Sequence, residues 1–247
     1  MRARGLLISA AVQTLLAELR RRFPGLDGDA AGRLVAEGRV LVNGFPVRNP
    51  QSRVGREASL RIVTETALRG EAKLKAALER FSVPVARSTA LDAGAAAGGF
   101  TRALLEAGAS RVYAVDAGHG QLLGSLRRDA RVVNLEGTNI GELSPAHVPE
   151  PLDLVTLDLS YLSLTRALPQ LERCLTFALE ARLVALVKPM FELALPRPPS
   201  AEPMLARALE RAEQGIAAAG WRVLGSMRSP VRGARGAVEF FVDASRA

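Results

Sequence analysis

Two apolar runs of this sequence end on residues that could carry chemistry. Lys188 closes "LVALVK" (183–188), and Asp158 closes "LVTLD" (154–158). Lys188 is one of only three lysines among 33 basic residues, and lysine can lose its proton where arginine cannot. The carboxyl ends of parallel strands meet at one edge of a sheet, where open α/β folds bind ligands. These two residues therefore predict a proton-handling site at a sheet edge.

A glycine-rich segment, "LDAGAAAGGFTRALLEAG" (91–108), leaves a predicted strand and enters a predicted helix. Backbone amides and a helix N-terminus converge on whatever such a loop binds. The spacing Gly94-x-x-x-Gly98-Gly99 lacks the middle glycine of the nicotinamide and flavin fingerprint. Asp92, just before the loop, would repel a diphosphate but is compatible with the cationic methionyl group of S-adenosylmethionine. The loop therefore indicates an S-adenosylmethionine site.

Residues on the following strands complete the predicted cofactor site. Asp116, at the tip of the second strand, is placed to accept both ribose hydroxyls, and Glu136 and Asn139, at the tip of the third, to contact adenine. The predicted cofactor-binding residues are Asp92, Gly94, Gly98, Gly99, Phe100, Thr101, Asp116, Glu136, Asn139 and Asp158.

Seven apolar runs are the elements that must position these residues. They are 89–95, 111–117, 131–137, 152–160, 181–189, 221–227 and 237–244. Several are apolar at consecutive positions, which is typical of strands covered on both faces, and amphipathic helices fit between the first five. We therefore predict a doubly wound, Rossmann-like α/β sheet of seven strands.

The first 70 residues have a different pattern and carry 12 arginines against six acids. Their sequence predicts a helix over 8–22, a break at "FPGLDGD", a second helix over 29–37, a hairpin at Asn43-Gly44 and a strand over 58–63. A small basic α+β module of this kind is typical of nucleic-acid binding.

The stretch "AGRLVAEGRVLVNGFPVRNPQSRV" (31–54) resembles the S4 RNA-binding module, which is named after a small-subunit ribosomal protein. The family usually begins its second helix with Ser-Arg, but Asp27-Gly28 stand here instead. This acid on the face expected to meet phosphate predicts weak RNA binding. The candidate RNA-binding residues of the module are Arg33, Arg39, Asn43 and Arg48.

From about residue 68 onward the chain is similar to FtsJ-like ribose methyltransferases of the TlyA type, which join an S4 module to a Rossmann-like methyltransferase. The motifs that carry the resemblance are "LRGEAKLKAALERF", "LDAGAAAGGFTRALLEAGASRVYAVDAGHGQL", "LEGTNI", "LDLSYLSL", "LVKPMFE" and "SPVRGARGAVEFF". The resemblance implies a degenerate S4-like domain at 1–65, a connector helix at 66–84 and a methyltransferase domain at 85–247.

The same resemblance implies a catalytic set of four charged residues, Lys73, Asp158, Lys188 and Glu239. It further implies S-adenosylmethionine as the cofactor and 2′-O-methylation of ribose in ribosomal RNA, at cytidine, as the reaction. Lys188 would orient or deprotonate the hydroxyl, the two acids would position the lysines, and Lys73 would line the substrate entrance.

Three other features of the second part bear on the substrate or the cofactor. Arg232 and Arg235, in a loop with several glycines, are predicted phosphate contacts. Ala96-Ala97 replace the family's usual Ser-Thr, which removes hydroxyls near the methionyl carboxylate and predicts weaker cofactor binding. The segment after Glu192 is shortened to "LALPRPPSAEP", a loop expected to cover substrate.

The composition excludes several kinds of structural site and several cellular locations. A single cysteine excludes an internal disulfide framework, two histidines argue against a zinc cluster, and no apolar run reaches the length of a membrane span. The apolar N-terminal stretch continues as an amphipathic pattern, which argues against a secretory signal. We therefore expect a cytoplasmic protein that acts on ribosomal RNA or a ribosomal subunit, with no metal and no membrane partner.

Three other classes of function are alternatives to this one. A diverged O-methyltransferase acting on a small-molecule hydroxyl is favoured by the weakened front module and the shortened loop. A pore-forming or haemolytic protein lacks the membrane-active segment that it would need. A catalytically silent RNA-binding module conflicts with the complete set of four charged residues.

Overall fold

The computed structural model describes residues 12–43, 45–62 and 69–246. The chain divides into two compact units. The smaller consists of Met1–Ala67 and Leu123–Ser125, and the larger of Leu68–Leu122 and Leu126–Ala247. Each unit has its own hydrophobic core.

The N-terminal unit combines two helices with short strands. Its elements are β1 (Val12–Thr14), α1 (Leu15–Arg22), α2 (Gly28–Ala36), β2 (Val40–Val42), β3 (Phe45–Pro46), β4 (Arg53–Gly55) and β5 (Leu60–Ile62). The helix predicted over 8–22 begins only at Leu15, because Thr14 is its N-cap and accepts a hydrogen bond from the Ala17 amide at 3.3 Å. The part of that prediction before residue 12 lies outside the described residues.

The predicted hairpin is present, with β2 pairing antiparallel to β3 and to β5. Asn43 has a φ of 52°, and its Oδ1 accepts a hydrogen bond from the Ser59 amide at 2.8 Å, so its side chain shapes the turn. Gly44 lies outside the described residues. A second antiparallel pair, β1 with β4, was not predicted. The core of this unit consists of Leu15, Leu19, Val35, Val40 and Val54.

The larger unit contains all seven predicted strands. Its elements are α3 (Arg69–Arg80), β6 (Thr89–Ala93), α4 (Gly99–Glu106), β7 (Arg111–Asp116), α5 (Gly124–Arg127, of which Gly124 and Ser125 are grouped with the smaller unit), β8 (Val132–Glu136), a 3₁₀ turn (Ile140–Glu142), β9 (Leu152–Leu157), α6 (Leu164–Cys174), β10 (Phe177–Val187), α7 (Pro189–Glu192), α8 (Glu202–Ala218), β11 (Trp221–Arg228), a 3₁₀ turn (Ala234–Gly236) and β12 (Phe240–Arg246). The predicted Rossmann-like α/β fold is confirmed.

The strands form one sheet in the order β11-β12-β10-β9-β6-β7-β8. Strands β8, β7, β6, β9 and β10 run parallel, and β12 is antiparallel to both of its neighbours. The chain runs outward from β6 through β7 to β8 and then returns to β9 on the other side of β6. Ligands of open α/β sheets bind outside the carboxyl ends of the strands at such a reversal, here between β6 and β9.

The prediction of amphipathic helices between the first five strands was wrong for two of the four connections. Only α4 and α6 are full helices, whereas β7 is followed by the four-residue α5 and β8 by a 3₁₀ turn. Glycines crowd the first of these segments and prolines the second, "SPAHVPEP". Proline lacks the amide proton that a helix interior needs and clashes with the preceding turn.

The helix predicted as a connector over 66–84 spans Arg69–Arg80 and belongs to the larger unit. Residues 66–68 lie outside the described residues. Leu74, Ala77 and Leu78 are buried, and α3 packs against α4. This packing fixes the direction of Lys73, which lies on the same helix.

Candidate active site

An ion pair joins the ends of two neighbouring parallel strands. Asp158 follows β9 and Lys188 follows β10, and Lys188 Nζ lies 2.6 Å from Asp158 Oδ1. The contact is a close ion pair without hydrogen-bond geometry at that oxygen. Lys188 Nζ also donates a hydrogen bond to Ser160 Oγ at 2.7 Å. Sequence reasoning missed Ser160, although it lies in the quoted motif "LDLSYLSL".

A second ion pair lies almost completely inside the unit. Lys73 Nζ on α3 is 2.6 Å from Glu239 Oε2, just before β12, with 8% and 5% of the two side chains exposed. Gly233 lies so close to Glu239 that a side chain at position 233 would overlap the carboxylate. Gly233, in the motif "SPVRGARG", therefore allows the loop between β11 and β12 to pass close to the Glu239 carboxylate.

The two pairs border two adjoining clefts. Lys73, Lys188, Glu239 and Ser160 line a cleft of about 370 Å³, called the acceptor cleft here. Asp158 and the glycine loop line a second cleft of about 190 Å³, called the donor cleft. The Lys188–Asp158 pair therefore bridges the two clefts, and the structure brings the four predicted catalytic residues together.

The glycine loop forms the wall of the donor cleft. Gly94 and Gly98 have φ values of 90° and 94°, in the left-handed region where glycine is favoured. A Cβ on Gly94 would overlap the carbonyl oxygen of Asp158, and one on Gly99 would lie 2.9 Å from the Glu71 amide nitrogen. The Ala96 amide donates to Asp116 Oδ2 at 2.8 Å, which joins the loop to the end of β7.

The donor cleft fits the group that the loop predicts. Besides Asp158, the cleft is lined by glycines and alanines of the loop, by Arg69, whose charge suits the carboxylate of the methionyl group, and by Phe100, which adds an apolar surface. The Asp158 carboxylate adds negative charge to the lining of the cleft, which suits a cationic sulfonium. Asp116 lies partly exposed at the tip of β7, where its Oδ2 accepts from the Ala96 amide and its Oδ1 from the Gly118 amide at 2.7 Å, so its ribose contacts stay a prediction.

Asp92 and Thr101 do not line the cleft as predicted. Both are completely buried, and Thr101 Oγ1 donates to Asp92 Oδ2 at 2.6 Å. Thr156 on β9 donates to the other carboxylate oxygen at 3.3 Å. Burial raises the pKa of Asp92 to about 7, and the Asp158 charge acts in the same direction, whereas the Thr101 hydrogen bond opposes it. We therefore correct the role of Asp92 from direct contact to support of the loop from below.

Glu136 and Asn139 are also engaged within the protein rather than open to adenine. Glu136 accepts hydrogen bonds from the amides of Gln121 and Leu122, at 2.5 Å and 2.9 Å, and forms an ion pair with Arg127. Asn139 caps the 3₁₀ turn, accepting from the Gly141 amide at 3.2 Å. These contacts order the segment after β7, so any effect of Glu136 on the cofactor is indirect.

The predicted phosphate contacts lie near the acceptor cleft. Arg235 lines the cleft and has a φ of 55°. Arg232 is exposed and donates to the Gly236 carbonyl oxygen at 3.2 Å.

The predicted RNA-binding residues of the N-terminal unit divide into two groups. Arg33 is exposed on α2. Arg39 pairs with Glu37 at 3.3 Å, and Asn43 holds the hairpin turn. The guanidinium of Arg48 packs against Gly38, and burial lowers the pKa of Arg48. Three of the four therefore serve the fold of the module itself.

Neither a metal centre nor a membrane span is found in the part of the chain that the structure describes. No three side chains of His, Cys, Asp or Glu come together there as ligands. No helix within the described ranges combines the length and apolar character needed to cross a bilayer.

Comparison with known proteins adds independent observations. A family model described as FtsJ-like methyltransferase matches residues 67–246. The chain is 40% identical over 235 residues to "16S/23S rRNA (cytidine-2'-O)-methyltransferase TlyA" of Mycobacterium tuberculosis, covering 92% of this chain and 87% of that protein. It is 30% identical over 215 residues to "Hemolysin A" of Brachyspira hyodysenteriae, covering 84% and 89%. A solved structure named "Putative hemolysin", from Streptococcus thermophilus, matches with a TM-score of 0.69 at 28% identity, covering 97% of this chain and 90% of that chain.

Proposed function

This chain belongs to the family of FtsJ-like methyltransferases, and from that membership we propose that it methylates the ribose 2′-hydroxyl of cytidine in ribosomal RNA. The methyl donor is S-adenosylmethionine. One observation carries the proposal: the Lys188–Asp158 pair bridges the donor cleft and the acceptor cleft. The relative in Mycobacterium tuberculosis, which is named for this reaction, supports the choice of nucleotide.

S-adenosylmethionine, when bound, supplies a methyl group on a positively charged sulfur that is already a good leaving group. The protein therefore has to bring the acceptor oxygen into line and remove its proton. Lys188 lines the acceptor cleft, where its Nζ is held by the ion pair with Asp158 and by its hydrogen bond to Ser160 Oγ, and in this proposal it also contacts the hydroxyl. In this proposal Lys188 holds the hydroxyl, gives one of its own protons to the Asp158 carboxylate 2.6 Å away, and as the neutral amine takes up the hydroxyl proton when the oxygen attacks the methyl group.

The second ion pair has a supporting role in this proposal. Lys73 and Glu239 neutralise each other, so the wall of the acceptor cleft carries little net charge. A neutral wall accepts a ribose, while Arg235 at its border attracts phosphate. Alignment of the reacting atoms can lower the activation free energy by roughly 7 to 11 kcal/mol, and proton removal can lower it by about 3 to 5 kcal/mol. Residues that position the acceptor should therefore matter most.

The proposal is tested with separated small and large ribosomal subunits and with free total RNA, each incubated with the protein and methyl-labelled S-adenosylmethionine. Modified 2′ positions are then located by resistance of the neighbouring phosphodiester bond to alkali. We expect label in RNA at a small number of cytidines. A ribosomal substrate also implies that the protein acts in the cytoplasm.

Two outcomes would contradict the proposal. Label only in a small-molecule fraction of a cell extract would assign the enzyme to another hydroxyl acceptor. Label recovered in mononucleotides after alkaline hydrolysis, instead of in alkali-resistant dinucleotides, would place the methyl group elsewhere than on the 2′ oxygen. The dependence on salt gives a second check, because binding through phosphates weakens with salt and binding of a neutral small substrate does not.

A further inference from the structure

A third cavity lies beside the acceptor cleft. It measures about 460 Å³ and shares Met190 and Phe191 as wall residues with the acceptor cleft. Tyr161, which lines it, directly follows Ser160, the hydrogen-bond partner of Lys188. The cavity is thus continuous in sequence and in space with the groups that surround the reacting hydroxyl. We call it the base cavity.

Glu192 is the polar residue at the inner wall of the base cavity. Its side chain belongs to a residue that is only 3% exposed. Oε1 accepts a hydrogen bond from the Leu164 amide at 2.7 Å and so caps α6, but Oε2 is buried without a hydrogen-bond partner. Burial raises the pKa of Glu192, opposed by the Leu164 hydrogen bond, the charge of Arg211 and the nearby Thr165 hydroxyl. An unpaired buried acceptor is costly, which points to a donor supplied from outside the chain.

The outer wall carries the groups that hold a nucleotide. Tyr161 is 51% exposed, so its ring is available for stacking on a base. Arg166 on α6 and Arg211 on α8 are exposed at the rim. Within the described ranges neither of them forms an ion pair, although the charge of Arg211 acts on Glu192. Unpaired guanidinium groups at a cavity rim are suited to phosphate.

We propose that the base cavity receives the base of the acceptor nucleotide and that Glu192 Oε2 accepts a hydrogen bond from the exocyclic amino group of cytosine. This inference rests on the proposed function. A carboxylate accepting from cytosine N4 is an established way to distinguish this base, whereas uracil presents an oxygen at the same place and would leave two acceptors facing each other. Glu192 is then a specificity residue, and Arg166 and Arg211 hold the flanking phosphates.

Thr165 is the neighbour that could satisfy Glu192 from within the chain. Its hydroxyl is also buried without a hydrogen-bond partner, so a rotation could bring it to the carboxylate. The two explanations predict different behaviour. A Thr165 contact would make Glu192 a purely structural residue with no influence on the choice of base.

The test uses the RNA fragment that the wild-type protein methylates, with the acceptor cytidine replaced by uridine or by the pyrimidinone riboside that lacks the exocyclic amino group. For the wild type we expect kcat/KM to fall by a factor of about 5 to 150 for both replacements, the usual range for one specific base contact. In Glu192→Gln, which keeps an oxygen to cap α6 and adds a donor, the cytidine-to-uridine ratio should approach about one. Thr165→Val is the matched control and should keep the wild-type ratio.

Arg211→Gln separates base choice from phosphate binding. We expect a higher KM for cytidine and uridine acceptors alike, a shallower salt dependence and an unchanged ratio between them. Equal kcat/KM for all three acceptors in the wild type would overturn the inference without any variant. A wild-type ratio that survives in Glu192→Gln but collapses in Thr165→Val would also overturn it. Absence of 2′-O-methylation on every RNA would instead contradict the proposed function.

Discussion

The two units of this protein use their charged side chains differently. In the larger unit, Lys73, Asp158, Lys188 and Glu239 meet in two ion pairs that border open clefts. In the N-terminal unit, three of the four predicted RNA contacts are engaged in the fold of the module. A catalytic set is a fixed combination of complementary charges, so its members can be recognised by type and order. A phosphate-binding surface consists of the basic side chains that remain exposed. Ion pairs within the unit decide which side chains these are.

The ion pair between the clefts should give the largest effect. We expect Lys188→Ala to lower the rate of methyl transfer by about 10³- to 10⁴-fold, because it removes both the proton acceptor and a positioning contact. Affinity for S-adenosylmethionine, measured by calorimetry, should stay close to that of the wild type. The matched control is Lys75→Ala, since Lys75 is an exposed lysine on α3 paired with Glu71 and Glu106. Unchanged turnover of the Lys188 variant would refute its catalytic role.

The buried pair should show its effect in stability as well as in turnover. Lys73→Met leaves the Glu239 carboxylate 5% exposed and without its partner. Loss of one member of a buried pair costs about 3 to 5 kcal/mol of unfolding free energy, measurable by denaturant titration. The double variant Lys73→Met/Glu239→Leu should regain most of this stability but stay inactive. Full activity in the double variant would show that this pair, unlike Lys188–Asp158, is only structural.

A substitution in the glycine loop should affect the donor cleft. In Gly94→Ala the new methyl group overlaps the Asp158 carbonyl oxygen and has to displace the end of β9. Overpacking should cost about 1 to 3 kcal/mol of unfolding free energy, and the displaced wall of the donor cleft should also weaken S-adenosylmethionine binding. Gly220→Ala is the control, because Gly220 has a similar φ of 86° with nothing within 4 Å of its added Cβ. It should lose only stability, about 1 to 2 kcal/mol.

Much of the larger unit could be predicted from the sequence. Its strands are long apolar runs, and the residues that end β9 and β10 have unusual types for their positions. The short strands β1 and β4 have three residues each, too few for a periodic pattern to stand out. The two helix-poor connections depart from the prediction because their glycines and prolines disfavour a helix, although the spacing between the strands leaves room for one.

Which groups each carboxylate contacts could not be predicted from the sequence, because those partners are far away along the chain. Asp92 meets Thr156, which is 64 positions away, and Glu192 caps a helix that begins 28 positions earlier. Sequence identifies an acid near a ligand-binding loop. Only the tertiary contacts decide whether that acid faces the ligand or supports the loop.

The buried acid below the donor cleft gives a smaller, pH-dependent effect. The pKa of Asp92 rises from 3.8 to about 7, so the folded protein binds the proton more tightly than the unfolded chain. The contribution of Asp92 to stability is therefore complete below about pH 4 and is lost as the pH rises through 7. We expect the difference in Tm between Asp92→Asn and the wild type to shift in favour of the variant from pH 4.5 to 7.5. A pH-independent difference would contradict this assignment.

The smallest effect, and the most direct test of the contrast between the two units, concerns the arginines of the N-terminal unit. Arg33 is exposed, so Arg33→Ala should weaken RNA binding a few-fold and reduce the slope of log affinity against log salt by about 0.7. Arg39 is paired with Glu37, so Arg39→Ala should leave that slope unchanged and act on stability. Filter binding over a range of salt concentrations, together with denaturant titration, measures both. If Arg39→Ala changed the slope as much as Arg33→Ala, Arg39 would bind phosphate in spite of its ion pair. The positions implied by resemblance would then be as informative in this unit as the four charged residues are in the other.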